Sequence, residues 1–520
     1  GTAAGAFVAA EGLGLLAMAL RQLPSLPGGQ VLALAEQVAS GLRLWIEKRL
    51  LVDDPQRPLW AMADIVLASI IGMLREGVFT DPRGLDILDR YDCTEWLRMY
   101  GASEASLSIP YMRGLYDLGL AYEDGDPARP RSAAGQGVRG VLRMFFGYRG
   151  SVFWRMRAGM GDIVFAPLHR LLEARGVRFE FFHRLRHMAL GDPDTAGGVP
   201  HVAALEFDVQ ARTRDGGPYR PLVDVKGRPC WPAAPDWSQL ADGDRLAALA
   251  PDYECHWQRH CVEERRLEVG RDFDFVVLAT SIGAVPHVAS ELVARDPRWQ
   301  AMVANVKTVA TQACQIWLTE DVDSLGFNGP PYVAAGFDKP FDTICDMAHV
   351  IPEENWPEPP ATAVYFCSVL EDPPVPPADD DQGYPARRAA EVKANAQALV
   401  VSGLAPLLPG AFDSAGRFRW TLLADATGAG AADGPERFET QYWRANISPS
   451  ERYVLSLPGS IEFRLSPLDT SCDNLTIAGD WTACSLNSGC TESAVISGML
   501  AAHALSGRPA LADIIGFDHP

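Results

Sequence analysis

The 520-residue chain is long enough for two or three domains, and its 48% hydrophobic and 22% charged composition is that of an ordinary globular protein. Its formal net charge of -20 excludes general nucleic-acid binding, which needs a basic surface, and disfavours an anionic membrane as a purely electrostatic partner. Ten cysteines spread over this length do not make a disulfide framework and fit a reduced, cytoplasmic setting.

The amino-terminal part of the chain is predicted to be mainly helical. Residues 3–20 are apolar and rich in alanine, but Glu11 interrupts them and no lysine or arginine precedes them. We therefore expect a packed or partner-facing helix there rather than a membrane span or a signal peptide. Apolar residues at helical spacing continue over 30–51 and 58–76, and Thr94 is a start signal for a further helix.

A helix followed by a strand is predicted at 161–182. The helix ends at Gly176, where a glycine C-cap belongs, and the aromatic run 177–182 alternates weakly, as a strand does. Residues 200–230 are typical of a short β-meander. A strongly apolar strand at 273–280 is expected inside a parallel sheet.

The second half of the chain predicts a separate sheet with a helix behind it. Strands are expected at 308–319, 341–350 and 361–370. The Pro- and Asp-rich segment 372–385 is predicted to be a surface loop, and helical spacing resumes at 386–407.

No metal site is predicted. The run Cys-His-Trp-Gln-Arg-His-Cys at 255–261 is not a known zinc spacing, and a solvated loop is preferred there over a structural zinc. The aspartates at 379–381 lack partner ligands at a plausible spacing. His169, His183 and His187 are interpreted as surface or cap residues rather than ligands.

The most informative pattern lies near the carboxyl terminus. A short apolar strand at 475–478 runs into Gly479 and Asp480, a glycine-bearing loop follows, and a helix begins near Cys490. Gly479 allows a ligand to approach the backbone closely, and Asp480 offers a carboxylate to ligand hydroxyls. The amides at the helix start favour an electron-rich group. This arrangement suits a flavin dinucleotide, with ribityl hydroxyls at the aspartate and the isoalloxazine ring at the helix start.

The segment resembles the carboxyl-terminal FAD signature of the amine oxidase and phytoene (carotenoid) desaturase superfamily. In that signature a strand, Gly-Asp or Gly-Glu, an aromatic-Thr pair and a Glu-Gly-Ala-like helix recur, and this chain has Glu-Ser-Ala at 492–494. The resemblance covers roughly residues 85–506, and its specific motifs are confined to a small share of them.

The resemblance implies an α/β fold, with an FAD-binding Rossmann-like domain of the glutathione-reductase type interleaved with a mixed-sheet and helical substrate domain. The expected domain boundaries, in chain order, are a helical part of the substrate domain at 1–150, FAD-domain segments with a meander and an insertion at 151–300, the substrate-domain sheet and helices at 301–464, and the carboxyl-terminal FAD segment at 465–520.

The same resemblance implies the cofactor contacts. Leu185 would contact the adenine through its backbone, and the strand ending in Ala-Thr would pass close to the cofactor. The full set of implied FAD-binding residues is Leu185, Ala279, Thr280, Gly479, Asp480, Trp481, Gly489, Cys490, Thr491 and Glu492.

One expected motif is not found near the start of the chain. Flavoproteins of this type open with a strand, a Gly-x-Gly-x-x-Gly turn and a helix that holds the pyrophosphate. Gly1 to Gly5 have no strand before them, and Gly12-Leu-Gly14 lies inside a helical run. Our hypothesis is that a second polypeptide supplies this unit; the alternative is that it has been cut away.

The substrate is less clearly encoded than the cofactor. Amine oxidases of the superfamily place a lysine near flavin N5 on the strand equivalent to 308–319, where this chain has Gln312, with Lys307 as the nearest lysine. Trp481 and the Tyr442-Trp443 dipeptide are candidates for the aromatic pair that flanks the flavin in the family, although aromatics at such positions are as often core or rim packing. These considerations predict Gln312, Tyr442 and Trp443 as substrate-lining residues and identify no catalytic side chain.

The desaturase branch is the closer resemblance. Gln-Ile-Trp-Leu at 315–318 and Asp-Thr-Ile-Cys-Asp-Met at 342–347 resemble strands of that branch. The preferred function is an FAD-dependent desaturase or dehydrogenase acting on a small hydrophobic molecule, an isoprenoid or a polyene. The alternatives are an amine or amino-acid oxidase matured by proteolysis and a non-catalytic assembly subunit. A cytoplasmic protein, with peripheral contact to a membrane, is expected.

Overall fold

The structure is a computed structural model that describes residues 57–147, 154–193, 198–327, 333–337, 339–425, 433–469 and 471–517, with single residues at 33, 41 and 329. The helix predicted at 3–20 and the one predicted at 30–51 lie outside the continuous ranges. Everything below concerns the described residues.

The α-helices account for most of the amino-terminal part and for single elements elsewhere. In chain order they are α1 (Arg57–Glu76), α2 (Cys93–Met99), α3 (Glu104–Leu107), α4 (Pro110–Leu118), α5 (Ala134–Leu142), α6 (Ala166–Ala174), α7 (Gly243–Leu249), α8 (Val285–Val288), α9 (Ser290–Arg295), α10 (Pro297–Asn305), α11 (Tyr384–Ala398) and α12 (Thr491–Ser506).

The strands make the fold mixed α/β. They are β1 (His183–Gly191), β2 (His201–Val209), β3 (Val223–Val225), β4 (Arg228–Cys230), β5 (Glu263–Glu268), β6 (Val276–Leu278), β7 (Thr308–Leu318), β8 (Val333–Ala335), β9 (Thr343–Asp346), β10 (Thr362–Leu370), β11 (Tyr442–Asn446), β12 (Tyr453–Val454) and β13 (Leu475–Ile477).

The largest sheet confirms the three strands predicted between 308 and 370. Its order is β11-β7-β10-β9-β8, with β12 also paired to β7, and its pairs are antiparallel. Because side chains alternate across a strand, the even positions of β7 and β10 pack on one face in the main hydrophobic core, as Cys314, Ile316 and Phe366 do. Helix α11 covers this face with Val392 and Ala396. The opposite face, formed by odd positions, is called the open face below.

A three-stranded antiparallel sheet, β1-β2-β5, replaces the strand predicted at 177–182, and that prediction is wrong. The strand starts only at His183 because the preceding aromatic residues pack into a cluster instead. The ring of His169 lies 4.3 Å from that of Phe179 and 5.3 Å from that of Trp231, measured between centroids. His169 is therefore buried, contrary to its interpretation as a surface residue.

Strands β6 and β13 form a two-stranded parallel sheet, which confirms the parallel strand expected at 273–280. Leu475 pairs with Val276, and Ile477 pairs with Leu278. Their inward side chains join a core with Trp299 and Trp481. Helix α12 follows β13 and packs against it. The two strands thus end side by side, which positions the site described next.

The amino-terminal helices share a separate core. Helix α1 buries Trp60, Leu67 and Ile71 there, together with Trp96 from α2. By length and composition α1 is the one described helix apolar enough to cross a membrane, although core helices of soluble proteins pass the same test. Helix α2 begins one residue before Thr94, because the Asp92 side chain caps it by accepting hydrogen bonds from the Thr94 and Glu95 amides.

Asp89 is a buried carboxyl group in this helical region. The residue is 5% exposed, Oδ1 accepts a hydrogen bond from the Gln136 amide at 2.9 Å, and Oδ2 is buried with no hydrogen-bond partner among the described residues. Burial, followed by the charge of Asp86, raises the pKa of Asp89 to about 7. The folded protein therefore holds a proton that the unfolded chain has already released, so stability is expected to fall as pH rises towards the folded pKa.

We predict that Asp89→Asn removes this dependence. The wild-type free energy of unfolding should fall by roughly 1–4 kcal/mol between about pH 5 and 8, since one pKa unit corresponds to about 1.4 kcal/mol. The variant should show a flatter profile by urea denaturation. Asp81→Asn is the matched control, because the pKa of that surface carboxyl is already lowered to about 2 by Arg83. An equally steep profile in Asp89→Asn would contradict the assignment.

Candidate functional site

The carboxyl ends of β6 and β13 meet at one edge of the parallel pair. Ala279 and Thr280 follow β6, and Gly479 and Asp480 follow β13 just beyond the paired residues. The Trp481 indole joins the two ends, because its Nε1 donates a hydrogen bond of 2.9 Å to the Thr280 carbonyl. In open α/β sheets, ligands bind in the crevice outside this end of the strands.

Gly479 occupies a backbone position that only glycine adopts readily. Its φ is +152°, and a Cβ built there would lie 2.4 Å from Nε1 of the Trp481 indole. The Gly479 amide donates to Ser497 Oγ at 3.0 Å, and Thr482 Oγ1 lies 2.7 Å from the same hydroxyl. The strand end is therefore fixed to α12.

Asp480 presents a half-buried carboxylate at this edge. Burial raises its pKa, and the nearby charge of Arg464 opposes that shift. Arg464 does not pair with the carboxylate; it donates to the Asp480 backbone carbonyl at 2.7 Å. Among the described residues Asp480 forms no ion pair, so its carboxylate oxygens are available to accept hydrogen bonds from ligand hydroxyls.

The amino terminus of α12 follows the loop that begins at this aspartate. Cys490 is the N-cap residue and makes no side-chain capping bond, while Thr491 and Glu492 at the helix start are exposed. Gly489 allows a close approach, because a Cβ there would lie 2.6 Å from the Tyr453 ring and 2.8 Å from the Val454 carbonyl oxygen. The helix start therefore offers a positive dipole end to an electron-rich group.

These residues fit a flavin dinucleotide. The hydroxyl of Thr280 is buried and has no hydrogen-bond partner in the described part of the chain. Together with the Asp480 carboxylate and the helix start, it forms a set that matches a ligand carrying hydroxyls and an electron-rich ring. FAD has both.

A cavity of about 1590 Å³ extends from Thr280. Leu185, the residue expected beside the adenine, lines it, at a bulge in the β1–β2 pairing. Arg444 and Glu451 line its far side next to the large sheet. The cavity thus extends from the edge of the parallel pair to the edge of the large sheet.

The open face of the large sheet approaches the start of α12 through Tyr453. This residue of β12 donates its hydroxyl hydrogen to the Gly489 carbonyl. Burial raises the pKa of Tyr453, and the neighbouring Cys490 and Asp480 raise it further, with a smaller contribution from Cys367 on the open face. The open face and the candidate cofactor site are therefore adjacent.

The open face also carries residues that were not recognised from the sequence. Gln315, Cys345, Tyr365 and Cys367 are half-buried there. Burial raises the pKa of the Cys367 thiol to about 12, and it raises that of Tyr365, so both are neutral near pH 7. Their odd-numbered positions in the paired strands β7, β10 and β9 are the signal that identifies them.

Two of the three predicted substrate-lining residues lie on the opposite face. Gln312 is buried, donates to the Val369 carbonyl and accepts from Asn395 at 2.9 Å. Trp443 stacks on Phe438 with centroids 5.6 Å apart. Tyr442 alternates with Trp443 and lies on the open face, where it is 44% exposed. Gln312 was matched to the lysine position of the amine oxidases without a gap. A shift of one residue along β7 would move the matched position to the open face.

Comparisons with known proteins place the site in context. Residues 258–506, which include β6 to α12, match the family model described as flavin containing amine oxidoreductase. No curated protein matches. A solved oxidoreductase from Methanosarcina mazei is similar, with a TM-score of 0.42 and 10% identity over 79% of this chain and 68% of that one. A putrescine oxidase variant with redesigned cofactor binding has a TM-score of 0.40 and 12% identity over 87% of this chain and 77% of that one.

Proposed function

We propose that this chain is an FAD-dependent oxidoreductase that removes hydride from an apolar carbon chain, such as an isoprenoid or a polyene. Residues 258–506 match the family model described as flavin containing amine oxidoreductase, which supports the flavin chemistry. Bound FAD supplies the hydride-accepting chemistry, and the protein supplies position, exclusion of water and electrostatics. Asp480 would hold the ribityl hydroxyls, and the start of α12 would stabilise negative charge at the flavin ring.

The open face supports an apolar substrate. Its half-buried residues Gln315, Cys345, Tyr365 and Cys367 carry no charge near pH 7. The charges next to these residues are paired: Arg444 with Glu451, and Asp342, whose charge acts on Cys367, with Lys339. A buried, uncharged surface is favourable for an apolar chain and costly for a cation that finds no partner there.

The position of the nearest lysine is the single observation that decides between a desaturase and an amine oxidase. Amine oxidases of the superfamily are expected to place a lysine on the strand equivalent to β7. Here Lys307 lies just before β7 and pairs with Glu123 at 2.9 Å. No lysine lies on the described residues of β7, so the site resembles a desaturase more than an amine oxidase.

Extraction and anaerobic reduction test the proposal together. Organic extraction of the purified holoprotein should release an apolar polyene or isoprenoid, and adding such a compound without oxygen should bleach the flavin absorbance. A panel of primary amines should leave the absorbance unchanged. Bleaching with amines alone, followed by peroxide formation once oxygen is admitted, would overturn the proposal in favour of an amine oxidase. Purified protein without bound flavin would overturn the proposal of a flavoenzyme.

Gln315 provides a matched pair of variants. We predict that Gln315→Glu raises KM for an apolar substrate by about tenfold or more, since an uncompensated carboxylate in a half-buried apolar site costs over a kcal/mol. Gln315→Leu should leave KM unchanged or lower it. Steady-state kinetics of both variants test this, with flavin content as the control for folding. Equal KM values in the two variants would show that the substrate does not reach the open face.

A second polypeptide is also proposed, as the source of the Gly-x-Gly-x-x-Gly unit. Parallel sheets are normally covered on both faces and have more than two strands, whereas β6 and β13 pair only with each other in the described residues. On α12, Val495 and Met499 are 50% and 40% exposed, so an apolar surface lies beside this pair. A strand-turn-helix unit would cover it and add the pyrophosphate site.

Intact mass measurement of the native holoprotein tests this proposal. Two polypeptides are expected to copurify with FAD. A single polypeptide with bound FAD would rule the second chain out. A cytoplasmic location is proposed as well, supported by the ten cysteines, all of which are free thiols.

A further inference from the structure

We propose that His256, His287 and Asp379 form a binding site for a divalent cation of the zinc class, separate from the FAD site. Three ligand atoms, one from each residue, lie within 4.8 Å of one another. Two imidazoles and one carboxylate are ligands that zinc and neighbouring transition metals prefer. All three residues line the 1590 Å³ cavity.

The distances are close to those around a bound ion. His256 Nε2 lies 3.2 Å from Asp379 Oδ1, and His287 Nδ1 lies 4.0 Å from Asp379 Oδ2. Ligand atoms around a tetrahedral zinc are roughly 3–3.5 Å apart, given zinc–ligand bonds of about 2.0–2.2 Å. The side chains of His287 and Asp379 are 38% and 58% exposed, so a small rotation of either closes the longer gap.

His256 is the fixed member of the set. It is 18% exposed on its side chain, and its backbone amide donates to Ser448 Oγ at 3.2 Å. Its neighbour Trp257 is buried in the main core and donates through Nε1 to the Ala378 carbonyl at 3.1 Å. This second bond holds the loop that carries Asp379 next to His256, as outer contacts orient ligands at metal sites.

Arg259 is the nearest competing cation. Its Nη2 lies 3.7 Å from Asp379 Oδ2, a long and poorly formed pair, and its side chain is 54% exposed. A surface pair of this kind contributes little, about 0–1 kcal/mol. A divalent ion held by three ligands would displace the guanidinium towards water. Three protein ligands leave the fourth position open towards the cavity.

The three ligands come from separate parts of the fold. His256 belongs to the segment between α7 and β5, His287 to α8 directly after the Thr280 strand end, and Asp379 to the Pro- and Asp-rich loop before α11. A bound ion would tie these three segments together along the lining of the cavity. Their distance along the chain is why spacing alone predicted no partner ligands for Asp379.

Zinc titration of the holoprotein tests the site. After treatment with a chelator and dialysis, wild-type protein is expected to bind zinc chloride saturably by calorimetry, with a raised Tm. Asp379→Asn and His287→Gln should weaken zinc binding by more than about tenfold. Even substitutions of residues that only orient metal ligands typically weaken binding by about ten- to a hundredfold. Asp380→Asn is the matched control and should bind as the wild type does.

Two results would overturn the inference. One is the absence of saturable zinc binding by the wild type. The other is equal affinity in Asp379→Asn and Asp380→Asn, which would also be the outcome if Cys255 and Cys261 bound the ion instead. The titration contains no substrate, so its result does not depend on the proposed function. Flavin absorbance, recorded in every sample, shows whether the cofactor is retained. Both substituted ligands are partly exposed, so folding of the variants is expected.

Discussion

Asp480→Ala is expected to yield protein that loses FAD during gel filtration. The half-buried carboxylate has no protein ion-pair partner among the described residues and lies at the strand end beside Thr280. Hydrogen bonds to a charged group contribute about 1.5–3 kcal/mol each, so two ribityl hydroxyls would account for roughly 3–6 kcal/mol. This corresponds to a loss of affinity of about a hundredfold or more. Flavin absorbance per protein after gel filtration, and fluorescence titration of the stripped protein, measure it.

Asp473→Asn is the control for this prediction. Asp473 is exposed just before β13, and its backbone amide donates to the Pro200 carbonyl. The variant should retain FAD as the wild type does. Asp480→Asn should be intermediate, because an amide oxygen still accepts hydrogen bonds but carries no charge. Full retention of FAD by Asp480→Ala would remove the aspartate from the cofactor site.

Arg464→Leu is expected to destabilise the carboxyl-terminal segment strongly. The arginine is 4% exposed and donates to the Asp480 carbonyl at 2.7 Å, the Leu455 carbonyl at 3.2 Å and Ser456 Oγ at 3.1 Å. Each acceptor left buried without a partner costs about 1–3 kcal/mol, so roughly 3–5 kcal/mol of unfolding free energy should be lost. Urea denaturation measures this loss.

The same variant should also affect the cofactor site. Arg464 opposes the rise in the pKa of Asp480, so its loss would favour the protonated carboxyl and weaken FAD retention as pH falls. Arg508→Leu, at an exposed arginine after α12, is the control and should change neither property. A stability within about 0.5 kcal/mol of the wild type would show that the buried hydrogen bonds of Arg464 are replaceable.

Local patterns in the sequence predicted the elements that build the site. The apolar run before Gly479 and the small residues after Cys490 gave the correct strand and helix, because both patterns are short-range. The parallel pairing of 273–280 followed from its continuous apolar character. The Rossmann-like completion of this pair and the domain boundaries stay predictions.

Features that depend on tertiary contacts could not be predicted from local sequence patterns. Gln312 was assigned without a gap, and in a strand a shift of one residue moves a side chain to the other face. The aromatic residues before His183 have high strand propensity, yet they pack around His169 and Trp231. The approach of Asp379 to two distant histidines has no local signature at all.

The indole of Trp481 has a practical use that follows from its position. It is 1% exposed and hydrogen-bonded to the strand end that is expected to touch the cofactor. An excited indole this close to an isoalloxazine ring would transfer its energy to the ring. The ultraviolet emission of Trp481 would therefore be quenched when FAD binds. Subtracting the spectrum of Trp481→Phe from that of the parent protein would isolate this signal from the other tryptophans and provide a label-free optical readout of occupancy.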